Sequence, residues 1–179
     1  MTTYTVQLGD SIWKIALKFQ VGISEIIEAN PQAQNPSLIY PGQQLTIPIL
    51  DPLRSIEQKA IDLTNQFRQS HGLPALTSNW ELSRVARLKA EDMRDKNYTV
   101  HNSPTFGPPF DMIHAFGITF QTAAENIAGG QATSEEVVNA WMNHPSHRDN
   151  MLNSKVRQIG IGYAHGGSYG HYWSQMFIG

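Results

Sequence analysis

The sequence predicts an α+β protein in two parts, a small βααβ module over residues 1–50 and a larger domain over residues 56–179. Three observations predict it. In the first part a short β run, two short helices and a return β run follow one another without a gap. In the second, helical spacing dominates from Ile56 to Trp141, and two β runs joined by a glycine-rich turn end the chain. Helices first and an antiparallel pair last argue α+β rather than an alternating α/β fold. Between the parts, Asp51-Pro-Leu-Arg-Ser55 reads as a linker too short to act as a long tether.

In the first part, Val6 alternates with polar Thr5 and Gln7, the pattern of a half-buried strand. Gly9 permits a sharp change of direction and Asp10 is expected to cap the helix that follows. Ile12, Ile15, Ala16 and Phe19 make one apolar stripe. Ser24 is expected to cap a second helix carrying Ile26, Ile27 and Ala29, which Asn30-Pro31 ends. Pro41-Gly42 is a turn signal, and Leu45-Thr-Ile47 is the return strand before Pro48. There is no cysteine, so so small a core depends on tight local geometry.

The stretch from Tyr4 to Phe19, closed by Tyr40-Pro-Gly-Gln-Gln-Leu-Thr-Ile-Pro48, resembles a LysM module. The resemblance implies binding of N-acetylglucosamine-containing glycans such as peptidoglycan or chitin. It places sugar in a shallow groove between Gly9, Asp10, Ser11 and Ile12 on one side and the loop from Asn30 to Ile39 on the other. A small βααβ domain that contacts only protein is the alternative.

Composition narrows the rest. A length of 179 residues and 40% hydrophobic content allow one ordinary domain plus the module. The net charge of -2 supplies no basic stripe for nucleic acid or an anionic membrane. No apolar run approaches membrane-spanning length. The start Met1-Thr-Thr3 leads straight into the first strand, without the basic and apolar regions of a secretory signal. Either a signal has been removed or the protein is made without one. In the second case a wall-binding module on a leaderless chain resembles bacterial spore-coat and cortex proteins, so a spore envelope or cell wall is the expected location.

In the second part, Ile56, Ala60, Leu63 and Phe67 mark a helix ended by His71-Gly72. Leu82, Val85, Ala86, Lys89 and Met93 mark another, on which Lys89 is expected to snorkel at the edge of the stripe. Thr133 and Glu136 have capping-box spacing before a helix that buries Val137, Val138 and Trp141 and ends at Pro145. The β runs are Gln158–Ala164 and His171–Phe177.

Asn65-Gln-Phe-Arg68, His71-Gly-Leu-Pro-Ala-Leu76, His101-Asn-Ser103, Ala124-Glu-Asn-Ile127, Trp141 with His147-Arg-Asp-Asn150, and Ile159-Gly-Ile-Gly162 occur in one order. Together they resemble a bacterial CAP-superfamily domain, the group of cysteine-rich secretory, antigen 5 and pathogenesis-related 1 proteins. The resemblance covers residues 56–179 and implies an α-β-α sandwich. It also implies that His101, Glu125 and His147 converge on a cleft. Two imidazoles and a carboxylate suffice for a divalent cation, zinc or magnesium, with an open position; without metal the same trio can act as acid and base on a bound water. His144 stands where eukaryotic members carry a second glutamate, and Ala124 replaces the usual glycine.

Other readings are plainer. Glu125 can tie down loop backbone and His147 can cap the preceding helix. Trp141 reads as core, and His71, His114, His165 and His171 as turn or surface residues. Ser103 and Ser146 lie beside histidines without a nucleophile elbow. Three function classes follow: a glycan-anchored protein whose second domain binds a partner, such as a wall or spore-coat protein, or a cation; a wall-localised hydrolase; and a lipid-binding module, for which no long apolar groove segment is evident.

Overall fold

The computed structural model describes every residue except 34, 36, 37, 49 and 50, and for residues 51 and 52 the backbone only. The chain divides into two units, Met1–Asp51 and Pro52–Gly179. In the first, β1 (Thr2–Thr5), α1 (Ile12–Phe19), α2 (Ile23–Glu28) and β2 (Gln44–Ile47) give the expected βααβ order. β1 and β2 pair antiparallel from Thr2↔Ile47 to Thr5↔Gln44. Val6, Ile15, Ala16, Val21, Ile26, Leu45 and Ile47 form the core.

Three details differ from the sequence reading. Val6 lies just beyond β1 yet stays buried, because its N–H donates to the Gln43 carbonyl and its own carbonyl accepts from Gly42. Ser11, not Asp10, caps α1, its hydroxyl accepting from the Lys14 N–H at 3.3 Å. Gly9 turns the chain at φ +87°, and the Asp10 carboxylate accepts instead from the Gln7 N–H (2.8 Å) and the Tyr4 hydroxyl (2.7 Å). Ser24 lies inside α2, whose N-cap is Gly22 with no side-chain bond.

The second unit begins with α3 (Asp51–Ser70), so residues 51–55 are the opening turns of a helix, not a linker. Asp-Pro is a helix-start signal as much as a linker signal, because the imino nitrogen costs nothing in the first turn. The α3 helix ends as expected at His71-Gly72, with Gly72 at φ +75° and the Leu73 N–H returning to the Arg68 carbonyl. Then come β3 (Thr77–Ser78), α4 (Trp80–Lys96), α5 (Pro109–Ala115), β4 (Ala123–Gly129), α6 (Ser134–Met142), α7 (Pro145–Met151), β5 (Gln158–His165) and β6 (His171–Ile178). Pro145 therefore ends no more than a connection: it opens α7 from the first helical position.

The sheet has the order β3-β5-β6-β4, antiparallel except for β3 beside β5. On one face Ile159, Ile161, Tyr163, Trp173, Phe177 and Ala124 pack against Ala60 and Ile61 of α3, Val137, Val138 and Trp141 of α6, and Met151 of α7. On the other, Met176 and Ile178 meet Leu82, Val85 and Ala86 of α4 and Met112 and Ile113 of α5. This is the α-β-α sandwich. Among the described residues no helix is long and apolar enough to cross a membrane.

Two glycines set the spacing of the layers. A Cβ on Gly160 would lie 2.4 Å from the Leu82 carbonyl carbon, and one on Gly162 would lie 2.0 Å from the Arg87 nitrogen. Both neighbours are helix backbone, which cannot rotate aside. The α4 axis thus rests directly on β5, and the buried Arg87 reaches Glu57 of α3 with bonds of 2.8 and 2.5 Å. Gly162→Ala should cost about 3 kcal/mol or more, the upper range of overpacking. Denaturant unfolding measures it, and a midpoint unchanged from wild type would show that α4 does not depend on this contact.

Candidate functional site

The site is assembled from α4 outward. Lys89 does not snorkel: it is fully buried, and its ammonium donates to the carbonyls of Val100 (2.9 Å) and His101 (2.7 Å) and to the Tyr98 hydroxyl (3.3 Å). One turn on, Asp92 accepts from Ser103 Oγ (2.6 Å), Tyr98 Oη (2.5 Å) and Thr105 Oγ1. Burial opposes its charge, but these bonds outweigh it and hold the carboxyl down to about 2. Asn97, at φ 55°, ends α4, so the chain doubles back at once over both residues. The loop bearing His101 is therefore fastened by a buried cation and a buried anion.

Glu125 is not in a turn. It sits inside β4, almost wholly buried, opposite Met176 on β6. Its Oε1 meets His101 Nδ1 at 2.8 Å and its Oε2 accepts from Ser174 Oγ at 3.4 Å. The His101 ring remains half-exposed. Strand alternation turns the next residue, Asn126, to the other face. There its amide donates to the His147 carbonyl (3.0 Å) and to Gln175 Oε1 (2.9 Å), and its oxygen accepts from Asn150 (2.8 Å). Asn150 also donates to the Glu125 carbonyl at 3.2 Å. Arg68, buried in α3, donates to the carbonyls of Met151 and Asn153, a cation at the C-terminal end of α7.

His147 is consequently carried by α7 rather than capping α6, and its ring lies 4.4 Å from that of His144. His144 is the N-cap residue of α7 and accepts or donates one bond with Ser146. The three expected residues are thus brought together unequally. His101 and Glu125 are hydrogen-bonded, while His147 stands within electrostatic reach of His101. Among the described residues no group of three or more His, Cys, Asp or Glu is disposed to hold a metal ion. The expected cation set of His101, Glu125 and His147 does not fit, because the Glu125 carboxylate is already taken by His101 and Ser174.

The two imidazoles are driven apart electrostatically. The bond to Glu125 raises His101 above its ordinary value of 6.5, against burial and the Lys89 charge. Burial lowers His147, helped by the charges of His144 and His101. Burial likewise lowers Lys89, opposed by Glu125 and Asp92.

In the first unit the expected sugar residues divide as well. Asn30 is buried, donating to Ile26 O and Thr46 O and accepting from the Thr46 N–H, each at 2.7 Å. Its side chain ties α2 to β2 and is closed to ligand. Ile12 and Ile39 pack on the core, whereas Gly9 and Ser11 are exposed and Asp10 half-buried. Residues 34, 36 and 37 of the expected second loop lie outside the described residues. Trp13, passed over in the sequence, is 58% exposed beside the first loop, and Leu8 and Leu38 are also exposed. Trp13 stands off the Ile12-Ile15-Ala16-Phe19 stripe, and that was its signal.

Residues 61–177 match the family profile described as CAP, cysteine-rich secretory protein family, and residues 4–48 match that of the LysM domain. The chain is similar to an uncharacterized protein, YkwD, of Bacillus subtilis (strain 168), 54% identical over 69% of this chain and 47% of that one. The chain is also similar to SpoIVD-associated factor A of Bacillus subtilis (strain 168), 46% identical over 27% of this chain and 12% of that one. The chain is similar as well to spore coat assembly protein ExsA of Bacillus cereus, 42% identical over 27% of this chain and 8% of that one. Each of these relatives is therefore covered over less than half its length. Among solved structures, an extracellular protein containing an SCP domain from Bacillus anthracis str. Ames superposes with a TM-score of 0.64 at 33% identity. That match covers 76% of this chain and 46% of that one.

By NMR titration, His101 should show a midpoint above 6.5 and His147 one below it. The raised His101 value stabilises the fold below about pH 6.5 and that gain is lost as pH rises through its folded-state midpoint. The lowered His147 value acts in the opposite sense, removing stability as pH falls below about 6.5. Glu125→Gln should lower the His101 midpoint. Lys89→Met should raise it and cost about 3 kcal/mol, since two buried carbonyls lose their donor. Equal midpoints for the two histidines in wild type would refute the asymmetry.

Proposed function

The chain belongs to the cysteine-rich secretory protein family, and on that premise we propose that it is a glycan-anchored protein of the bacterial cell wall or spore envelope. Its LysM unit captures N-acetylglucosamine-containing polymer, peptidoglycan or a chitin-like glycan, and its CAP domain presents the His101–Glu125 cleft to a ligand or protein partner. The observation that carries the anchoring is the exposure of two large apolar side chains, Leu8 and Trp13, on either side of the Gly9–Ser11 turn in the sequence. Pyranose faces are apolar, and an exposed indole beside a polar turn is the chemistry that reads them. The spore setting is supported by the similarity of 27% of this chain to a spore coat assembly protein.

Because these side chains carry no charge, capture should depend weakly on salt. In co-sedimentation with insoluble peptidoglycan or chitin, the full chain should pellet. Trp13→Ala should weaken capture about tenfold, as expected for an aromatic anchor, while His101→Ala leaves it unchanged. A wild-type chain that stays in the supernatant with both polymers would rule out anchoring.

A second reading, a wall-localised hydrolase, is favoured by one observation. Two imidazoles with opposed shifts, one raised by a carboxylate and one lowered by burial, are the division of labour that acid–base catalysis uses. Protonated His101 would donate to a leaving group and neutral His147 would take a proton from water. If this reading holds, incubation with peptidoglycan releases soluble muropeptides at a rate that falls at least about a hundredfold in Glu125→Gln. No release by the wild type would leave binding as the cleft's role.

A further inference from the structure

Two of the histidines that read as surface residues in the sequence are not independent of each other. His165 ends β5 and His171 opens β6, directly opposite in the register. Their ring centres lie 5.2 Å apart with the planes at 62°. The separation is set by backbone: the turn between them is closed by the Gly166 N–H donating to the Gly170 carbonyl at 2.8 Å. Gly166, Gly167 and Gly170 all sit at positive φ, where side-chain-bearing residues would be strained. His171 is held a second time, since its Nδ1 shares a hydrogen bond with the Tyr163 hydroxyl at 2.7 Å. Tyr163 is itself buried against Trp173, with ring centres 4.5 Å apart. His165 is exposed and His171 half-exposed, so both rings meet solvent.

We propose that His165 and His171 form a two-imidazole chelate for a late divalent transition ion, with Tyr163 orienting His171 and water filling the remaining positions. An imidazole nitrogen binds such an ion at about 2.0 Å, and the ring centre lies about 1 Å behind the nitrogen. Two rings on one ion at a near-tetrahedral angle therefore have centres about 5 Å apart, which is the spacing the hairpin already holds. If the Tyr163 oxygen accepts from Nδ1–H, Nε2 is left bare for metal, the arrangement in which a ligating histidine donates its other N–H to a fixed neighbour. Imidazole donors without carboxylate select copper, nickel or zinc over magnesium and calcium, and the order of divalent affinities puts copper first. Among the described residues no larger His, Asp or Glu cluster exists, so the hairpin offers a pair and not a closed cage. An ion held there keeps open positions that a second donor from outside can enter.

Copper(II) alone, added below one equivalent to the isotope-labelled wild-type chain, tests this through paramagnetic broadening. The amides of Ala164, Gly166 and Gly170 should broaden first. Calorimetry should show one fewer copper bound per chain in the double variant His165→Asn, His171→Asn. Tyr163→Phe should weaken that site about tenfold, the lower end for loss of an outer-sphere partner, and nickel or zinc should compete for it. Broadening confined to residues around His144 and His147, whose rings are also adjacent, would overturn the proposal. So would an unchanged stoichiometry in the double variant. The broadening is read on the wild-type chain and does not depend on whether any variant folds.

Discussion

The absence of side chains at Gly160 and Gly162 lets the backbone of α4 rest against β5, and the placement of the His101–Glu125 pair descends from that contact. A helix one side-chain layer higher would leave Arg87 short of Glu57 and would carry the loop over residues 98–105, with His101, away from Glu125. With α4 in place, a buried ammonium and a buried carboxylate each satisfy several groups of that loop. Such burial is costly unless every charge is paired or hydrogen-bonded. The loop is thereby specified in one conformation, and His101 is delivered over Glu125. The close approach of two backbones is thus the cause, and the imidazole–carboxylate pair its distant effect.

The edge strand β4 then divides the work between its two faces. Glu125 looks toward α4 and engages His101; Asn126, one residue later, looks toward α7 and holds the His147 carbonyl. Because successive side chains leave a strand on opposite sides, a single dipeptide fixes both histidines without touching both rings with one carboxylate. That explains the opposed shifts. His101 gains an anion and is raised; His147 gains only burial and two neighbouring imidazoles and is lowered. A carboxylate shared equally by both would have erased the difference.

Strong periodicity made the larger elements legible. The stripes on α3, α4 and α6, the final β pair and the βααβ module emerge at or near their expected positions. The short elements did not declare themselves. α5 and α7 have seven residues each and open on Pro109 and Pro145, and proline at a first helical position looks like a breaker when no stripe follows it. β4 reads Ala-Ala-Glu-Asn-Ile-Ala-Gly, with small and polar residues where β-branched ones signal a strand, since its place is set by pairing with β6. Lys89 was misplaced for a related reason. Its position on the apolar stripe was plain, but the carbonyls that accept its protons belong to a loop that no local pattern locates. Asn30 illustrates the converse: a polar residue in an expected binding loop is consumed by the fold, joining α2 to β2.

Each unit closes its own hydrophobic core, one around Ile15, Ile26 and Leu45 and the other around Trp141, Trp173 and Phe177. The exposed Trp13 is free of the first core, just as His101 projects from the second. A surface residue carries ligand contacts at small cost to stability, whereas Asn30 and Lys89 cannot change without disturbing a buried network. The exposed side chains of the first unit and the imidazole pair of the second can for that reason be substituted separately. The exposed residues of the small module can change freely, while the imidazole pair remains bound to the geometry of α4, β4 and α7.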